Sequence, residues 1–172
     1  MGKKKINIIG IVFLCVAVAA LVLAIVGMVT PALASKEGPI SGEKFNIKLF
    51  GNDEKYWNWE LTTEVTKASP TLSIIGFIVT IIGAAVVIVD LVLKNFLGKN
   101  IKFVGFIGGA AALIGGILVL VGGLVMANNI NTLGGNMEST KACSIAIGTI
   151  LGLIAGIAAA AAGALGSTVL KN

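Results

Sequence analysis

Residues 103–127 read FVGFIGGAAALIGGILVLVGGLVMA, a run without a charged side chain in which glycine pairs recur as Gly108-Gly109, Gly115-Gly116 and Gly122-Gly123. Such a run exceeds the ~20 apolar residues that a helix needs to cross the hydrocarbon of a bilayer. In lipid only helices and closed barrels satisfy every backbone polar group, so the stretch reads as a membrane-spanning helix. The glycine pairs return every two helical turns and line one face. A seven-residue period favours a left-handed crossing, and small residues let backbones approach where lipid removes the hydrophobic drive between helices.

Working outward, three further runs share this character: Ile6 to Thr30, Leu72 to Leu93, and Ala142 to Leu165, the last extendable to Leu170. Asp90 is the one charged residue inside the four. The chain is 56% hydrophobic and 12% charged, with a mean hydropathy of +1.00, whereas soluble domains carry about a quarter charged residues. The expected fold is all-α and membrane-embedded, a left-handed bundle of four transmembrane helices at 6–30, 72–93, 103–127 and 142–165.

Lysine placement orients the spans. Lys3, Lys4 and Lys5 precede the first, and Lys94, Lys99 and Lys102 fill the short link 94–102 between the second and third. Short lysine-rich segments stay on the cytoplasmic side. Both termini are therefore expected in the cytoplasm of a cell-membrane protein, with segments 31–71 and 128–141 outside. The competing reading of the N-terminus is a secretory signal cut after Ala32-Leu33-Ala34; signal cores run about 7–15 residues and this run is longer, which favours an uncleaved span.

The outer segment 31–71 opens with turn-rich chain at Pro31, Gly38, Pro39 and Gly42. Phe45, Ile47 and Leu49 then alternate with polar residues, the period of a half-buried strand. Gly51-Asn52-Asp53 is turn chemistry, and Tyr56 to Val65 offers a second strand with Trp57, Trp59 and Leu61 on one face. A β-hairpin is expected at about 43–67. Two readings of the tryptophans stand: interfacial anchors or a contact patch for a partner.

The fourth run carries Gly148, Gly152 and Gly156 at four-residue spacing, continued by Ala160. Gly10, Ala17 and Ala24 repeat in the first run, and Gly76 and Gly83 in the second. These ladders serve either internal packing of the bundle or a face on which copies of the chain associate.

Histidine and arginine are absent, which removes the commonest general base and bidentate anion clamp. Cys15 and Cys143 belong at different membrane depths, and no metal cluster, phosphate loop or nucleophile set occurs. The net charge of +5 comes from lysines spread between the apolar runs, without the basic tract of a nucleic-acid binder. No enzyme, cofactor or metal is expected. Asp90 stands four residues before Lys94, so it is either a paired or snorkelled acid near the interface, or a group with an ion or proton role. The expected partners are the lipid bilayer and either a second copy or another membrane protein.

Four spans, a long first outer segment with strand character and a short second one resemble the claudin and peripheral myelin protein superfamily. The segment Phe45-Asn46-Ile47-Lys48-Leu49-Phe50-Gly51 looks like the strand region of that family's first loop. The likeness is one of architecture, since the family's paired loop cysteines are missing. It implies a non-enzymatic protein that packs laterally in membranes and makes contacts outside the cell. A small channel or an accessory subunit is the alternative.

Overall fold

The computed structural model describes residues 7–30, 34–37, 44–47, 64–99, 101, 103–133 and 144–170. Four helices dominate: α1 (Ile8–Val29), α2 (Glu64–Val92), α3 (Val104–Leu133) and α4 (Ile147–Val169). Three short strands accompany them: β1 (Ala34–Glu37), β2 (Lys44–Ile47) and β3 (Ser144–Ile145).

Local chemistry sets several helix ends. Asn7 caps α1, its side chain accepting the amide of Ile9 at 3.0 Å. The helix stops at Thr30, where Pro31 disfavours helical backbone in the preceding residue. α2 continues through a π-helical turn at Leu93–Leu97 and closes on Gly98 in the left-handed region, φ 60°.

The helices form an up-down-up-down ring in which α1 packs against α2 and α4, and α3 against the same two from the opposite corner. The core has three levels along the bundle axis. Phe77 and Val119, with Met28 against them, fill the end nearest the strands. Ala17, Val87, Leu91 and Ala162 fill the other end. Between them lies a waist made of one alanine from each helix, Ala20, Ala84, Ala112 and Ala159.

The usual polarity of a soluble protein is inverted. Buried positions of α1 are glycine and alanine, while Val12, Val22, Ile25, Ile82, Phe106, Ile114 and Ile157 point outward at 48–58% exposure. Bulky apolar side chains outside and small ones inside suit helices that pack closely within lipid. Four stretches, Ile8–Val29, Thr71–Leu97, Val104–Asn129 and Ile147–Val169, are long and apolar enough to cross a membrane. The chain is a multi-pass membrane protein built as a four-helix bundle.

The strands depart from the expected hairpin at 43–67. β2 coincides with the strand expected around Phe45 and Ile47, but its antiparallel partner is β1, with Ala34 opposite Ile47 and Glu37 opposite Lys44. β1 also pairs with β3, Ala34 opposite Ile145, giving the order β2-β1-β3. The segment expected as the second strand ends in helix, since Glu64 and Val65 begin α2; residues 51–63 lie outside those described. The turn-rich residues 38–43 thus connect two strands, where a tether to the first strand was expected. α2 starts well before Leu72 and α3 runs past Ala127. At 1.5 Å per residue, the 29 and 30 residues of α2 and α3 span about 45 Å each. They exceed the roughly 30 Å hydrocarbon thickness that α1 and α4 match more closely.

Candidate functional site

The glycine ladders are buried within one chain. On α3 the two members of the first two pairs serve different neighbours. A β-carbon added at Gly115 would lie 2.5 Å from the amide nitrogen and Oγ1 of Thr80 on α2, and one at Gly108 would lie 2.8 Å from Val86. The next residue in each pair turns to α4. A β-carbon at Gly109 would stand 3.1 Å from Cα of Ala160, one at Gly116 would stand 3.2 Å from Cα of Gly156, and one at Gly123 would press on Thr149 at 2.6 Å. Gly122 is buried as well.

The α4 ladder swings around its helix as a four-residue spacing requires. The carbonyl of Gly148 faces Gly27 of α1, Gly152 meets Phe77 and Val119, and Gly156 meets the Ala112 carbonyl. The glycines of these rows are covered by helices of the same chain, the internal packing that was one of the two readings of the ladders, and a second copy could reach them only by opening the bundle.

Polar groups follow the inward face of α2. Ser73 and Thr80 are fully buried. The Thr80 hydroxyl donates to the carbonyl of Gly76 at 2.8 Å, one turn back on its own helix. Ser73 Oγ has no hydrogen-bond partner among the described residues. Further along the same face, Lys94 Nζ donates to Asp90 Oδ2 at 2.5 Å and lies 3.2 Å from Ser167 Oγ of α4. The two charged side chains are 3% and 1% exposed.

The expectation of a surface or snorkelled acid is thus half corrected. The i,i+4 pair forms, but it is sealed between helices. Its surroundings explain how charge is tolerated there. Asp90 Oδ2 adjoins Gly105, the second residue of α3, so close that a β-carbon at Gly105 would collide with it. The acid therefore sits at the positive end of the α3 dipole. Lys94 follows the last turn of α2 and reaches Ser167, close to the end of α4 at Val169. The cation thus lies near the negative end of α4. Asp90 Oδ1 remains without a partner among the described residues.

Asn95 completes this end. It is 8% exposed, and its Oδ1 accepts the backbone amide of Asn7 at 3.0 Å, tying the start of α1 to the π turn. Gly10 makes room for it, since a β-carbon there would stand 2.9 Å from Asn95 Cγ. Asn95, Ser167 and Gly105 were not singled out from the sequence. Asn95 sits in a lysine-rich link and Ser167 at a helix tail, and neither position signals burial.

For the outer patch, Phe45 and Ile47 lie in β2, while Leu49, Trp57 and Trp59 lie outside the described residues. Cys15 is a free, exposed thiol on the outward side of α1. Among the described residues no group of histidine, cysteine and carboxylate side chains is gathered for a metal ion. No family model, curated protein or solved structure matches the chain.

Proposed function

We propose that this membrane protein is a non-enzymatic interaction protein whose bundle holds a platform outside the cell, through which it makes lateral or cell-to-cell contacts. The observation that carries this reading is the sheet. It takes β1 and β2 from the segment after α1 and β3 from the segment immediately before α4, so both outer connections are tied to the bundle at one end. A platform rooted in two helices presents a surface without needing to move.

Orientation follows from charge. The segments at the end with the ion pair hold Lys3, Lys4, Lys5, Lys94, Lys99, Lys102 and Lys171 against Asp90 alone, while those at the sheet end hold six lysines against seven acids. Positive segments stay in the cytoplasm, which puts the sheet outside and both termini inside. The architectural likeness to claudin-like proteins supports the same role. The glycine ladders contribute rigidity, and contact between copies belongs to the platform.

The second reading, a small channel, draws on the buried and incompletely satisfied Asp90. Against it, α2 and α3 touch through backbone atoms at Gly76, where a β-carbon would lie 2.7 Å from the Gly115 carbonyl, so a water-filled lumen has little room there. Reconstitution of the full chain in liposomes separates the two. Contact through the outer segment 31–71 predicts vesicle clustering that falls several-fold in the W57S/W59S variant, with no ion flux. Potassium flux that drops in Asp90→Asn, from vesicles that never cluster, would overturn the proposal in favour of the channel.

A further inference from the structure

The start of α1 carries hydrogen-bond donors that the bundle does not use. Asn7 takes the amide of Ile9 with its side chain and that of Ile11 with its carbonyl. Its own amide goes to Asn95 Oδ1 at 3.0 Å. Every helix start leaves its first amides without an intrahelical acceptor, and here those of Ile8 and Gly10 have no partner among the described residues.

Asn95 adds a third donor. Only an oxygen can accept the Asn7 amide, so that bond fixes the side-chain amide with Nδ2 on its other side. Nδ2 has no partner among the described residues, although Asn95 is only 8% exposed. It lies against the first turn of α1, since a β-carbon at Gly10 would stand 3.1 Å from it. A buried amide donor left unpaired is costly, so the arrangement favours an acceptor at this point.

The shared character of these groups selects the ligand. All three donate, and the one side-chain oxygen among them, Asn95 Oδ1, is already engaged. The positive end of the 22-residue α1 dipole adds to them, with no acidic residue in the first turn to oppose it. A cation finds nothing there to bind it. A tetrahedral oxyanion offers oxygens to several donors at once, which is how helix starts hold phosphate. Ile8 also opens the first membrane span, the level at which the polar headgroups of a bilayer stand.

We infer that the start of α1 and Asn95 together bind a phosphate group. Its oxygens accept from Asn95 Nδ2 and from the first-turn amides of α1, so the ligand ties α1 to the π turn of α2 alongside the direct bond from Asn7. The phosphate belongs either to a phospholipid headgroup or to free phosphate, and because its oxygens are what is recognised, a zwitterionic lipid serves as well as an anionic one. The site is independent of any contact made at the sheet end.

The test uses the full chain, isotope-labelled, in maltoside micelles, which contain no phosphate. The amide resonance of Gly10 and the side-chain amide of Asn95 are followed as inorganic phosphate or short-chain phosphatidylcholine is added, with sodium chloride and the matching diacylglycerol as phosphate-free controls. The expected result is a saturable shift of both resonances. Saturation by phosphatidylcholine alone identifies a headgroup as the source, and saturation by inorganic phosphate identifies the free ion. Asn95→Asp keeps an oxygen for the Asn7 amide but replaces the donor by a charged acceptor; it should weaken binding about tenfold or more while the Asn7 amide stays protected from exchange. No saturable shift with either phosphate probe, equal shifts with the controls, or unchanged affinity in Asn95→Asp would overturn the inference. The wild-type titration decides by itself if that variant does not fold.

Discussion

Gly83 of α2 and Ala112 of α3 meet backbone to backbone: a β-carbon added at Gly83 would stand 2.5 Å from the Ala112 amide nitrogen. The obstructing atoms belong to a helix backbone, which cannot rotate aside as a side chain can. Close approach of this kind takes the place of the hydrophobic drive that lipid abolishes between helices.

A ranking of alanine variants follows. At Gly83 and Gly115 the new methyl would sit 2.5 Å from backbone atoms of the facing helix, whereas at Gly109 and Gly116 the nearest atoms are at 3.1 and 3.2 Å. Gly83→Ala and Gly115→Ala are expected to destabilise the bundle by about 2–3 kcal/mol, the upper range for overpacking, and Gly109→Ala and Gly116→Ala by about 1 kcal/mol or less. Thermal unfolding in detergent measures this. The contrast between adjacent Gly115 and Gly116 is the sharp part, since equal losses would show that α3 does not divide its glycines between two neighbours.

The buried ion pair gives a second prediction. Asp90→Asn leaves the Lys94 ammonium sealed inside without its counter-charge, a change that costs about 3–5 kcal/mol in buried pairs. Replacing both in D90L/K94M removes the uncompensated charge and is expected to recover most of that loss. Ser167→Ala takes away one neutral acceptor and should cost about 1 kcal/mol. Unfolding midpoints of the three variants would test this order, and a double variant as unstable as Asp90→Asn would refute it.

Asn95 separates local from global stability. Truncation in Asn95→Ala forfeits the acceptor of the Asn7 amide, but it also removes an Nδ2 group that has no partner among the described residues. The two effects oppose each other, so global stability should change by less than about 1 kcal/mol. The Asn7 amide, freed from its bond, should nevertheless exchange its hydrogen markedly faster. Unchanged exchange at Asn7 would mean that α1 is held there by something else.

How much of this was legible in the sequence depended on the length of the signal. The four apolar runs are long and unbroken, so helix and membrane followed directly, and the glycine pairs at 108–109, 115–116 and 122–123 marked the close-packed helix. Which partner each glycine meets was not legible, because a one-dimensional period does not say that α3 stands between α2 and α4. β1 was invisible for a different reason. Ala34-Ser35-Lys36-Glu37 has no apolar alternation, and its strand character comes from pairing with β2 on one side and β3, 110 residues away in sequence, on the other. The burial of Asp90 was missed because a charge four residues from a lysine near a span's end usually reaches water, whereas here Gly105 and Ser167 from two other helices close over it.

Phe103 offers a prediction in which two effects oppose each other. Its φ of 70° puts a side chain in a conformation that costs a non-glycine residue about 1–2 kcal/mol, and glycine relieves that strain at once. Nothing in the core is lost, because the ring is 70% exposed. Against this, glycine gives the unfolded chain more freedom, which takes back about 0.4–1 kcal/mol. Strain relief is the larger of the two, so Phe103→Gly is expected to leave the bundle slightly more stable, by about 1 kcal/mol or less. Unfolding midpoints of the two proteins in the same detergent check this, and a clear loss would mean that the left-handed backbone at Phe103 is held by contacts its side chain makes.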